Sequence, residues 1–159
     1  MPFTPFHLGP GALLKAAAAD RFSFMVFGGS QVLMDVEPLV RMIRGDSVLH
    51  GLSHTVVGAF AIGAISAAAG RPIGNFMLRY LAIEGSQIRW SVAILSAFLG
   101  TYSHIVLDAL MHRDMNPLWP FSAGNAFVGA VSIQALHVAC VAAGIVGGLI
   151  IGLRALRDA

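Results

Sequence analysis

His104 and Asp108 stand four positions apart, and His50 and His54 repeat that spacing. On a helix, side chains at i and i+4 share a face, about 5–6 Å apart at Cβ. An imidazole and a carboxylate placed this way reach one divalent cation. His112 extends the His104–Asp108 face by a further turn. Neutral imidazole and carboxylate oxygen together suit zinc, or a harder ion such as manganese. Such an ion lowers the pKa of a bound water to about 7 and makes hydroxide available. Asp108 follows an apolar run, and an acid in lipid is costly enough to be a functional candidate by default.

The elements that must position these residues are membrane helices. The chain has 159 residues, 57% hydrophobic and only 11% charged, where soluble domains carry about 25% charged residues. So few charges do not cover a soluble surface, and a small domain cannot hide that much apolar area inside itself. Val128 to Leu153 is the strongest span, interrupted only by Gln134 and His137 and closed by Arg154 and Arg157. Ser91 to Met111 is a second span, and His54 to Gly70 a third, rich in the small residues that permit close helix contact. Leu8–Ala19 and Phe22–Met34, of 12 and 13 residues, are too short to cross singly and read as a helical hairpin turned at Asp20-Arg21. The expected fold is therefore all-α: one membrane-embedded bundle over 1–159, with a short N-terminal hairpin and three further membrane helices. The Arg71–Trp90 stretch offers room for an interfacial helix. Gly144, Gly148 and Gly152 form a small-residue ridge, a packing feature and a candidate homodimer contact. The single cysteine, Cys140, excludes an internal disulfide and argues against a cysteine zinc site. The start of the chain lacks a basic n-region, so no cleavable signal peptide is expected. A net charge of +2 gives no reason to expect nucleic acid as a partner.

Traced alternately across the membrane, these segments bring His7, Asp35, Glu37, His50, His54, His104, Asp108 and His112 to one edge. Five of the six histidines fall there. The sixth, His137, lies mid-span and is expected to hydrogen-bond a neighbouring helix. Each residue also has a purely structural use: Asp35 as a helix cap before Pro38, Glu37 as a solvated charge, His112 as a surface histidine, Asp108 as a buried partner for an arginine. Arg41, Arg44 and Arg113 share the histidine edge. Lys15, Arg21, Arg71, Arg79, Arg89, Arg154 and Arg157 share the other, with Asp20 and Glu84 its acids. Lys- and Arg-rich loops stay cytoplasmic, so the C-terminus is expected inside and the histidine edge outside.

Four blocks in order carry a resemblance: His7 before a short apolar helix; Asp35-Val36-Glu37; Leu49-His50-Gly51-Leu52-Ser53-His54-Thr55; and Gly100-Thr101-Tyr102-Ser103-His104-Ile105-Val106-Leu107-Asp108 followed by Asn116-Pro117-Leu118-Trp119-Pro120. The chain thereby resembles the YdjM-like membrane proteins, a family described as membrane-bound metal-dependent hydrolases. It departs in two places. Leu49 stands where the family's first histidine of His-Arg-Gly-x-Thr-His-Ser would be, with His50 one position along. The family's Asp-x-Asp is here Asp-x-Glu. The Ser103-His104…Asp108 helix also resembles one in zinc-dependent phospholipases C, an analogy pointing to phosphoester or lipid chemistry.

The reading is a membrane-embedded, metal-dependent hydrolase acting on a lipid or other amphiphilic ester in the inner membrane. His54, His104, Asp108 and Asp35 hold the ion, and His7 and His50 complete the shell or bind a second ion. Asp35 and Glu37 are the catalytic carboxylates, Glu37 taking a proton from water. Ser53, Thr55, Ser103 and His112 orient the ligands, and Trp119 contacts substrate at headgroup level. Zinc is expected first, manganese second, as one or two ions. The rivals are a metal-ion carrier, whose polar path would cross the whole membrane; a haem protein, which would leave Asp35 and Asp108 without a use; and a structural subunit without chemistry.

Overall fold

The structure, a computed structural model, describes residues 5–83 and 87–157; Met1–Thr4 and Glu84 lie outside the described residues. After a 3-10 turn at Pro5–His7, α1 runs Leu8–Ala18, α2 Phe24–Met34, α3 Val36–Arg44, α4 Val56–Tyr80, α5 Trp90–Met111 and α6 Ile133–Arg157. Helices α4, α5 and α6 are each long and apolar enough to cross a membrane. Their large outward residues, among them Phe60, Ile65, Ile94, Val138 and Leu149, are exposed and apolar, as a lipid-facing surface requires.

Helices α1 and α2 form the expected hairpin. Each has 11 residues, roughly 16 Å at 1.5 Å per residue, about half a bilayer core. The Ser23 side chain caps α2 at the Val26 amide, and the Ser23 amide donates to Ser96 Oγ on α5 at 2.8 Å. Small residues bring the backbones together. A Cβ at Gly100 on α5 would meet Ser30 and the Phe27 carbonyl of α2, and one at Gly147 on α6 would meet the backbone of Ala12 and Leu13 on α1. Packing of this kind takes the place of a hydrophobic drive between helices in lipid. Gly144 likewise faces Gly9 of α1, whereas open space lies over Gly148 and Gly152.

Three expectations of the element boundaries are corrected. Helix α4 continues through Arg71 and Pro72 to Tyr80, so the helix expected to end near Gly70 absorbs half of the Arg71–Trp90 stretch, and 81–83 and 87–89 form no interfacial helix. Pro is tolerated there because a membrane helix can re-satisfy the carbonyl it frees. The short amphipathic helix is instead α3. Pro38 sits in its first turn, and Gly45, at φ 76°, closes it by donating to the Met42 carbonyl. It exposes Val36, Val40 and Ile43 beside Glu37, Arg41 and Arg44, the two-faced composition of a helix lying in the membrane surface. Helix α6 starts at Ile133 and not Val128, because the segment before it is held in turns.

The loop 112–132 closes the same end of the bundle. Asn125 Nδ2 donates to the Ala109 and His112 carbonyls, satisfying the end of α5, and the Pro117 carbonyl accepts from the Val56 amide at the start of α4. Met115 is buried with Met34, Ala59, Ile105 and Ala109.

Candidate metal centre

The ends of α2, α4 and α5 meet under this loop. Asp35 is the hinge residue between α2 and α3, and its side chain caps neither helix. His54 ends a 3-10 turn at Leu52–His54, so His50 and His54 do not share a helix face as their spacing predicts; His50 lies in the preceding loop. Thr55 caps α4, accepting from the Gly58 amide and donating to the Leu52 carbonyl, which fixes the His54 turn to the helix. His104 and Asp108 point inward from α5, and both are buried.

Asp35, His54, His104 and Asp108 each place a ligand atom within 4.8 Å of all the others. His104 Nε2 lies 3.1 Å from Asp108 Oδ2, 3.2 Å from His54 Nε2 and 3.3 Å from Asp35 Oδ1, and His54 Nε2 lies 3.2 Å from Asp108 Oδ2. Ligands held tetrahedrally around zinc at about 2.0–2.1 Å are about 3.3 Å from one another. The ring nitrogens facing away from this space are engaged elsewhere. Gln31 Oε1 accepts from His104 Nδ1 at 2.6 Å, and Ser53 Oγ lies 2.8 Å from His54 Nδ1. With Nδ1–H committed to Gln31, a neutral His104 presents its Nε2 lone pair inward, the tautomer a metal needs. Gln31 is in turn held by Ser103, whose hydroxyl accepts from Gln31 Nε2 and donates to the Gly100 carbonyl.

His7 reaches the cluster from the N-terminal turn. Its Nδ1 is 3.3 Å from His104 Nδ1. Its Nε2, 3.4 Å from Asp108 Oδ1, is buried without an aligned hydrogen-bond partner among the described residues. Burial pushes this imidazole down to about 4, so it is neutral near pH 7 and offers a lone pair. Two Nε2 atoms facing each other and ligand spacings matched to zinc fit a divalent cation among Asp35, His54, His104 and Asp108; His7, expected as a ligand, touches Asp108 and His104 but stands outside the group. A crevice of about 170 Å³, lined by His7, Gln31, Asp35 and His104, leads to the cluster.

The remaining predicted residues are placed as follows. Burial holds the His50 and His112 rings below 6.5. His112 Nε2 is 3.8 Å from Asp108 Oδ1. The Glu37 carboxylate is turned away from the cluster, taken by Arg41 at 2.8 Å and by the Ser53 amide at 2.7 Å. Burial alone would raise its pKa, but these donors outweigh it and hold Glu37 below the ordinary value. Trp119 lies half-exposed in the loop above. His137 is stacked on Phe6 at 4.3 Å, in place of the expected hydrogen bond.

Two residues of the site were not singled out from the sequence: Gln31, and Asp114. Asp114 accepts from the Leu49 and His50 amides and from His50 Nδ1 at 2.9 Å. Burial works to raise its pKa, yet the Leu49 amide and the His50 ring bring it down to about 2.

A helical bundle with three helices long and apolar enough to cross a membrane and a buried His/Asp cluster at one end fits a polytopic membrane protein with a site able to hold metal. The chain belongs to the YdjM inner membrane protein family, whose family model matches residues 4–156. No curated protein and no solved structure matches it.

Proposed function

We propose that this chain is a membrane-embedded, metal-dependent hydrolase acting on a lipid or similar amphiphilic ester. The observation that carries the reading is the mutual spacing of the Asp35, His54, His104 and Asp108 ligand atoms. Zinc in that space would supply a Lewis acid for the scissile ester and lower the pKa of its water to about 7. The chain's own residues do the rest. Gln31 and Ser53 hold the His104 and His54 rings in orientation. Asp35, lining the crevice, is the carboxylate placed to accept a proton from an entering water. Glu37 acts one step removed, by pinning the Ser53 amide and with it the His54 turn.

Two observations weigh against the rival readings. Below the cluster the buried side chains of α2, α4 and α5 include Phe27, Ala93 and Ala97 and the hydroxyls of Ser30, Ser66, Ser96 and Thr101, but among the described residues none is a carboxylate or imidazole, which a metal carrier would need along its path. The crevice of about 170 Å³ leaves no room for a porphyrin. The place of the site in the fold supports an amphiphile as substrate: the cluster lies near the end of the apolar helix α5, beside the two-faced helix α3 and under the 112–132 loop.

The excess of Lys and Arg on the edge opposite the cluster supports a cytoplasmic C-terminus and an outward-facing metal centre. The hydrolase reading is tested by incubating zinc-loaded, detergent-purified protein with a panel of carboxyl- and phosphoester lipids. Hydrolysis abolished by chelation and restored by zinc is expected. Fully loaded protein that cleaves none of them contradicts it.

A further inference from the structure

We propose that the chain holds a second divalent cation between His50, His112 and Asp108, with Asp108 bridging the two ions. This deepens the hydrolase reading and rests on the first cluster being a metal centre. The two oxygens of Asp108 face different partners. Oδ2 lies 3.1 Å from His104 Nε2 and 3.2 Å from His54 Nε2, while Oδ1 lies 3.4 Å from His7 Nε2 and 3.8 Å from His112 Nε2. The carboxylate therefore has one oxygen for each of two neighbouring spaces. Ligand atoms of His50, Asp108 and His112 all fall within 4.8 Å of one another, and Oδ1 is the Asp108 oxygen facing His112. The His50 ring is 4.2 Å from that of His112 and 4.8 Å from that of His54.

Asp114 is the independent sign of a ligand. Its oxygens lie 2.9 and 3.0 Å from His50 Nδ1, and it also accepts the Leu49 and His50 amides. A carboxylate clamped on one ring nitrogen orients the other toward a metal and raises its basicity. With Nδ1 taken by Asp114, Nε2 is the His50 nitrogen that would bind a cation shared with His112 and Asp108. The arrangement is looser and wetter than the first. The His112 and Asp114 side chains are 22% and 29% exposed, against 1% for His104 and 4% for Asp108. The second ion is therefore the weaker and more exchangeable one. Two ions sharing a carboxylate stand about 3.5–4 Å apart, the separation with which paired-metal hydrolases clamp an ester or phosphoester between them.

The test is a zinc titration of chelated, detergent-purified full chain, with bound metal counted by mass spectrometry. The wild type is expected to saturate at two ions, the second at least about tenfold weaker. His50→Ala and His112→Ala should stop at one. Asp114→Asn should keep both ions but weaken the second about 10–100-fold. Manganese-loaded wild type should give the electron paramagnetic resonance spectrum of an exchange-coupled pair. Saturation of the wild type at one ion overturns the proposal, whatever the variants do, and so do two ions retained in both histidine variants. The two readings fail separately. Two coupled ions without ester hydrolysis removes the hydrolase and leaves the pair; hydrolysis with one ion removes only the pair.

Discussion

Asp108 gathers more of the site than any other side chain, with four histidines within 3.8 Å of its oxygens. A carboxylate in that position does not survive alone. Its charge is tolerated there only because partners stand on both of its oxygens. The rings nearest it are oriented by polar groups behind them, and the most consequential of these is Gln31. Its side-chain oxygen fixes the His104 tautomer, and its side-chain nitrogen is fixed by Ser103. Gln31→Leu, close in size but without donor or acceptor, should therefore weaken zinc binding about 10–100-fold while every ligand remains. Competition against a chromophoric chelator measures this, and unchanged zinc affinity would mean that the His104 ring needs no partner. Gln31 was not legible as a site residue because its partner lies 73 positions away, and no local spacing joins them. His104 and Asp108 were legible because one helix turn alone brings them together. Asp114 escaped for the same reason as Gln31: it acts from a loop on a loop.

Helices α2 and α5 carry this long-range contact, and their approach depends on Gly100. A Cβ there would meet Ser30, whose hydroxyl donates to the Phe27 carbonyl at 2.7 Å. Gly100→Val should push α2 from α5, an overpacking cost of about 1–3 kcal/mol, and carry Gln31 and Asp35 away from His104. The expected outcome is a lower melting temperature together with weakened zinc binding, though position 100 touches no ligand. A variant that melts lower but binds zinc as tightly would show the site to be independent of helix spacing. The spans themselves were legible, since apolar length and flanking charge define them. Their ends were less so. Apolar content continues past Gly70 at Ile73, Phe76 and Met77, and Pro72, a stop signal in water, is no stop in lipid. The amphipathic period of α3 was hidden by its shortness and by Pro38 inside it.

At the scale of the molecule, the helices sort the chemistry to one end. His7 enters at the top of the hairpin, Asp35 leaves it, His54 opens α4, and His104 and Asp108 lie in the last two turns of α5. The other end holds Arg71 over the Trp90 ring at 4.7 Å, and Arg154, which donates to the Ala16 carbonyl at the foot of α1. Arg79 ends α4 there as well, so it counts fully among the cations of that side. A reporter that works only in the cytoplasm, fused after Ala159, is expected to be active, and one that works only outside should be silent. The reverse pattern would turn the metal centre inward and leave its ligand set unchanged. That ligand set is the claim on which the rest depends. The direct measurement is metal content by mass spectrometry of detergent-purified wild type, His104→Ala and Asp108→Ala. Wild type should carry at least one divalent ion per chain, zinc first, and each variant should lose it while still inserting in the membrane. Wild type without bound metal after zinc loading, or both variants with full metal content, would contradict the metal centre.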